Sequence, residues 1–267
     1  MLKNKFLLLL QLLFILLLLS CSKTNSKNLS IIHKNENLLE KQSVVKTSKI
    51  IASTSWTAAF ADLAGINSID IIAPANLQHP PEYEITISDI QKVSNSEYFI
   101  FAGFERMMHT LGKNITSTKM IKITCNNSLE NVKTQVQKIA EQCGDLNISK
   151  KRLASFEKAF IDGKIYLESN NLKNAKVACN KNQIYLAKDL GLEIVHIYGP
   201  GEITSKDIST IKNLQIDFII DNIHNPVGKP LSEVNKKAKY ILWRNFPEKV
   251  EHRALEKVIR ENINRLK

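Results

Sequence analysis

From residue 49 onward the chain alternates short apolar runs with stretches in which apolar positions recur every three or four residues. The first pattern predicts buried strands and the second amphipathic helices. KIIAST at 49–54 reads as a strand, and SWTAAFADLAG follows with Trp56, Ala59, Phe60 and Leu63 on one helical face and Gly65 as its stop. IDIIA at 69–73 is the next strand, and beyond a His-Pro-Pro loop Ser88 and Gln91 read as the capping box of a short helix. EYFIFAG gives a third strand, followed by a helix from about Glu105 to Leu111 that Gly112 ends. KMIKIT gives a fourth, followed by the helix SLENVKTQVQKIAEQCG. Continuous apolar runs of this kind belong to parallel sheets covered on both faces.

Residues 149–174 break the alternation. Leu153, Phe156 and Phe160 share one side, and IDGKIYLESNNLKN continues without a strand signal, which predicts one long helix opening at Ser149 and strained at Gly163. The alternation then resumes with KVAC, EIVHI, IDFII and KYILW as strands, a Thr204 to Asp207 capping box between the second and third, and a closing helix from Pro247. The expected fold class is α/β: two β/α lobes with parallel four-stranded sheets, bridged by one long helix, with a ligand cleft between them. The lobes span 48–148 and 175–267, on either side of the linking helix at 149–174.

The residues before this pattern are of another kind. Lys3 and Lys5, the apolar run from Phe6 to Leu19, then Ser20 and Cys21 make residues 1–20 a secretory signal, the run being too short for a comfortable membrane span. Leu18-Leu19-Ser20-Cys21 resembles a bacterial lipobox, in which the cysteine is acylated and becomes the mature N-terminus. That predicts a protein held to a bacterial membrane through lipid on Cys21 and facing the periplasm or the extracellular space. Residues 21–47 are polar, without sustained periodicity, and read as a tether.

The formal charge of the 267-residue chain is +11, and losing Lys3 and Lys5 lowers it by two to +9. The lysines are scattered among Asn and Ile, with no basic block interleaved with aromatics, so no nucleic-acid partner is expected. Beyond Cys21 three cysteines remain, Cys125, Cys143 and Cys179; an odd count implies no complete disulfide framework. Cys143 closes the apolar face of Val132, Val136, Ile139 and Ala140 and reads as core.

Candidate chemistry collects after the strands. His79 precedes two prolines, which fix the backbone and hold the imidazole at a stiff loop. Glu105 follows the third strand and TCNN the fourth; in the second half, Cys179 and Asn180 follow the first strand, His196 and GPGE the second, and DNIHNPVG, with Asp221 and His224, the third. Ligands of open α/β sheets bind outside the carboxyl ends of the strands, where all of these fall. Glu105 and His109 stand four apart on the expected helix, so both can face one ligand. Two histidines and a carboxylate from different loops make a plausible first shell for zinc, or for manganese if more oxygen ligands join. The Met107 and Met108 pair reads as packing, and His196 as a satisfied core or rim residue. There is no Walker loop, GxGxxG, GxSxG, HExxH or CxxC, so no enzymatic step is expected.

IIASTSWTAAFADLAG, IIAPANLQHPPEYEITISDIQKVSNSEYFIFAGFE, GLEIVHIYGPGEIT and IIDNIHNPVGKPL, in that order after a lipobox, resemble the zinc- and manganese-binding receptors of bacterial ABC importers. The resemblance runs from about residue 49 to the C-terminus. It implies two α/β lobes bridged by a rigid helix, a metal ion between them, and delivery of that ion to an import permease. His79 matches the family's first metal histidine. Where the family commonly has an Asp-x-His segment this chain has TCNNSLENVK, and where a third ligand follows the first strand of the second lobe it has ACNKN. The expected metal ligands are therefore His79, Glu105, Asp221 and His224, with Cys125, Cys179 and Asn180 as further candidates and zinc or manganese as the carried ion. Alternative expectations on the same fold are a receptor for a metal chelate or corrinoid, or a noncatalytic surface adhesin or structural lipoprotein.

Overall fold

A computed structural model of the protein describes residues 49–112 and 115–267; the expected signal peptide, the anchor at Cys21 and the tether lie outside the described residues. In the first lobe β1 (Ile50–Ala52), β2 (Asp70–Ile71), β3 (Tyr98–Phe101) and β4 (Lys119–Lys122) pair in parallel in the order β2-β1-β3-β4. In the second, β5 (Lys176–Asn180), β6 (Glu193–Tyr198), β7 (Phe218–Asn222) and β8 (Lys239–Trp243) repeat the plan as β6-β5-β7-β8, again all parallel. The expected α/β class, with two parallel four-stranded sheets, is the observed one. In each sheet the chain steps to one side of its first strand and then crosses to the other. The loops after β1 and β3, and after β5 and β7, therefore flank a topological switch point, where a crevice opens.

The helices among the described residues are α1 (Ser55–Leu63), α2 (Ile87–Ser94), α3 (Met108–Leu111), α4 (Leu129–Cys143), α5 (Leu146–Ser169), α6 (Ile184–Asp189), α7 (Ser205–Asn213), α8 (Lys229–Val234) and α9 (Ala254–Asn264). α1 starts immediately after β1 because Thr54 is extended and exchanges capping bonds with Thr57. Its alanines and Phe60 are buried, so it is enclosed rather than amphipathic, and it ends at Gly65 with φ +89°. A Cβ there would lie 2.7 Å from the Asp145 carbonyl oxygen. Only glycine allows α1 and the start of α5 to approach this closely.

Several boundaries differ from the sequence expectation. α2 is capped by Thr86 and Asp89, not Ser88 and Gln91. The expected helix from Glu105 forms only at Met108, because the Glu105 side chain folds back onto the amides of Ala102 and Gly103. α5 opens at Asp145, whose carboxylate accepts from the amides of Asn147 and Ile148, and Ser149 lies inside it. Gly163 leaves the helix unbroken: a Cβ there would meet Ile263 at 2.7 Å and Leu190 at 2.9 Å, so the glycine serves close packing instead of marking strain. The closing helix starts at Ala254 rather than Pro247, after a stretch that ends with Arg253 at φ 61°. The Thr204 to Asp207 capping box forms as expected.

One apolar core runs through both lobes, from Phe60 on α1 and Val136 on α4, through Phe156 and Phe160 on α5, to Trp243 on β8 and Ile259 on α9. Cys143 packs against it, and Met107 and Met108 join a smaller cluster behind the first sheet, both as expected. Polar fastenings accompany this core on the side of α5 and α9. The Asp62 carboxylate on α1 accepts from Arg152 Nη1 on α5 at 3.0 Å, from His252 Nδ1 at 2.9 Å and from the Arg253 amide at 3.0 Å. Glu256 on α9, 2% exposed, accepts from Ser155 on α5 and from Arg253 and Arg260.

Candidate functional site

The strand ends of the two lobes face one another across a cleft of about 620 Å³. His79 reaches it from the first lobe, at the N-cap of a single 3₁₀ turn built by Pro80, Pro81 and Glu82, and is exposed. The proline pair thus presents the ring at the cleft wall. His224 comes from the loop after β7 and is 8% exposed. Its backbone amide donates to Asn222 Oδ1, and its ring stacks on Phe246 with centroids 3.8 Å apart and planes 12° from parallel. Trp56, at the start of α1, continues this aromatic floor, 5.8 Å from Phe246.

His224 Nε2 is buried and bonds to no protein atom. The ring's pKa is pushed down to about 4, first by burial and then by the charges of Arg244 and His79, against the opposing effects of Glu248 and the Gln78 backbone. The imidazole is consequently neutral at physiological pH, the form that ligates metal. His79 and His224, one from each lobe, line the same cleft.

The two expected carboxylates behave differently from the histidines. Glu105 is 1% exposed and does not line the cleft. One of its oxygens accepts from Ser53 Oγ at 2.5 Å and the Ala102 amide at 2.8 Å, and the other from the Gly103 amide at 2.6 Å. Asp221, fully buried, accepts from Asn180 Nδ2 at 2.9 Å, the Asn222 amide at 2.8 Å, the Gly228 amide at 2.6 Å and the Tyr240 hydroxyl at 2.8 Å. Each carboxylate therefore joins the ends of the two central strands of its own sheet, β1 to β3 and β5 to β7. Their expected role as metal ligands is corrected on that ground: the oxygens are spent on internal donors beneath the cleft. No trio of His, Cys, Asp or Glu converges on a metal position among the described residues.

The remaining candidates separate in the same way. Cys125 lines the cleft, and in the metal-free protein burial, and after it the Glu105 charge, raise its thiol pKa well above normal. Cys179 and Asn180 are fully buried, the first with its thiol pKa raised mainly by burial and the second bonded to Asp221. His109 is exposed and outside the cleft. His196 bonds through Nε2 to Asp207 at 2.9 Å, the satisfied residue expected.

The segments TCNN, ACNKN and DNIHNPVG, singled out in the sequence, bring Asn126, Asn182 and Asn222 to the cleft, while sequence reasoning missed Asn245 and Phe246 and the walls formed by Phe104 and Tyr185, 57% and 40% exposed. Asn245 and Phe246 follow β8, so the strand-end rule applied to KYILW would have found them. Trp56 read as one position of an apolar face, and nothing in its spacing separates a cleft wall from a core.

No family model and no curated protein sequence matches the chain. Solved structures do. A periplasmic metal binding protein from Candidatus Liberibacter asiaticus superposes with a TM-score of 0.63 at 16% identity, covering 81% of this chain and 97% of that one. That likeness establishes the fold. The Mn-bound form of the same protein gives 0.61 at 15% identity, over 82% of this chain and 98% of that one. The solute-binding protein FpvC of Pseudomonas aeruginosa in complex with Mn2+ gives 0.61 at 15% identity, over 81% and 96%.

Proposed function

We propose that the protein is an extracytoplasmic receptor that takes up a divalent transition metal, zinc or manganese, between its lobes and hands it to an ABC import permease. The observation that carries this reading is the pair of imidazoles, His79 and His224, brought from opposite lobes to one cleft, the second neutral with a buried, unpartnered nitrogen. An unsatisfied buried nitrogen costs about 1–3 kcal/mol, which a metal bond offsets. Structural neighbours of the same fold are metal-binding proteins of the periplasm, and one is described in complex with Mn2+, which supports the reading. The apolar N-terminal run and Cys21 support export and a lipid anchor.

Binding requires no covalent step. Ligands from both lobes favour the arrangement that brings them together, by the difference in affinity between arrangements. The test is elemental analysis and metal titration of the untagged protein purified without chelators. Zinc or manganese should bind at about one ion per chain, and His79→Ala with His224→Ala should abolish it. Equal metal binding by the parent and the double variant would refute the assignment.

A further inference from the structure

We infer that the natural cargo is a metal ion held in a small organic chelate, with His79 and His224 completing its coordination and the aromatic and amide walls holding the organic part. This rests on the reading of the cleft as a metal receptor and specifies its substrate class.

Size is the first consideration. The cleft measures about 620 Å³. One water takes about 30 Å³, and small-molecule sites occupy roughly 300–1,000 Å³. The space is that of an organic ligand rather than of a bare ion.

Donor chemistry points the same way. A bare dication needs four or more ligands, usually including anionic ones that offset its charge. The cleft offers two imidazoles, the single thiol of Cys125 and the neutral amides of asparagines; Glu82 is the one carboxylate among its lining residues, and it is exposed on the turn after His79. Glu105 and Asp221, which would supply negative charge, are bonded internally beneath it. A chelate arrives with its charge offset and most positions filled, leaving those that two imidazoles can take.

The walls then acquire a purpose. Trp56 lines the cleft, its buried indole nitrogen unpartnered, and Phe104 and Tyr185 stand beside it 57% and 40% exposed. Aromatic faces bind flat or apolar portions of a ligand. Amides such as those of Asn182 and Asn245 match the carboxylate or carbonyl groups a chelator uses to hold its metal.

The test compares free Zn2+, free Ni2+, nitrilotriacetate alone, and each ion's one-to-one nitrilotriacetate complex, a chelate that leaves adjacent positions open. Binding to the untagged full chain is read by equilibrium dialysis with elemental analysis and by tryptophan fluorescence. The complex should bind about tenfold or more tighter than the free ion, with its visible band shifted for Ni2+ by imidazole ligation. His79→Ala and His224→Ala should abolish that binding. Phe104→Ala with Tyr185→Ala, both exposed and so compatible with folding, should weaken the complex while leaving free-ion affinity and Tm unchanged. A free ion that binds as tightly as its complex would overturn the chelate inference and leave the metal receptor standing. Binding of the complex that survives loss of both histidines would also overturn it. Binding of neither ion nor complex would overturn both readings.

Discussion

Glu105 and Asp221 were expected to hold metal, and the structure gives them a different test. Each is a buried carboxylate whose partners are backbone amides and neutral side chains. Glu105→Gln and Asp221→Asn keep the shape but turn an amide group toward donors, so each should lose about 1–3 kcal/mol of stability in urea denaturation. Metal affinity, measured on the folded variants by titration, should be retained. That His79 and His224 would line a cleft was legible, because a residue after a buried strand lies at the ligand edge. The carboxylates obeyed the same rule and were misread, since position after a strand does not say whether a side chain turns to the crevice or back to the amides beside it. Glu256 carries the pH dependence at this scale. Burial pushes its pKa up, but bonds from Arg253, Arg260 and Ser155 outweigh it and leave the folded value low. The folded state therefore binds fewer protons than the unfolded one as pH falls through the carboxylate range. Its stabilisation is present at neutral pH and lost in acid. Glu256→Gln should lower stability at pH 7 and flatten the fall below about pH 4.3, as followed by denaturation at stepped pH.

Among the elements, the strands were the most legible, because apolar runs bounded by polar loops leave few other readings. Helix starts were less so. ITISDIQ offers both Ser88 with Gln91 and Thr86 with Asp89 at the capping spacing. The backbone chose Thr86, whose extended conformation ends there and whose hydroxyl accepts from the Asp89 amide. Asp145 won over Ser149 for the same reason: its carboxylate accepts from two free amides of the first turn. Gly65 marks the tightest junction between elements. Gly65→Ala should cost about 1–3 kcal/mol through its left-handed φ alone, and the approach to the Asp145 carbonyl adds to that. Thermal denaturation should show a clear loss of Tm, with the metal stoichiometry of the folded fraction intact.

Across the whole molecule, the lobes share an apolar core with α5 and are fastened by Asp62 and Glu256 on the side of α5 and α9. Asp62→Ala would leave the Arg152 side chain, 14% exposed, without its carboxylate, at a cost of about 3 kcal/mol. The same change should increase hydrogen exchange in α9 and in the segment before it. With the fastenings intact, small-angle scattering should give the same radius of gyration, within error, for the free and the metal-loaded chain. Those fastenings also bear on release. A receptor whose walls swing freely can let its cargo go by thermal opening, whereas here opening would have to disturb a continuous core and a buried ion-pair hub. Under the proposed receptor function, escape would then be slow when the protein is alone and fast only where a partner supplies the work of separation, so the lifetime of the loaded state would belong to the site of delivery as much as to the cleft.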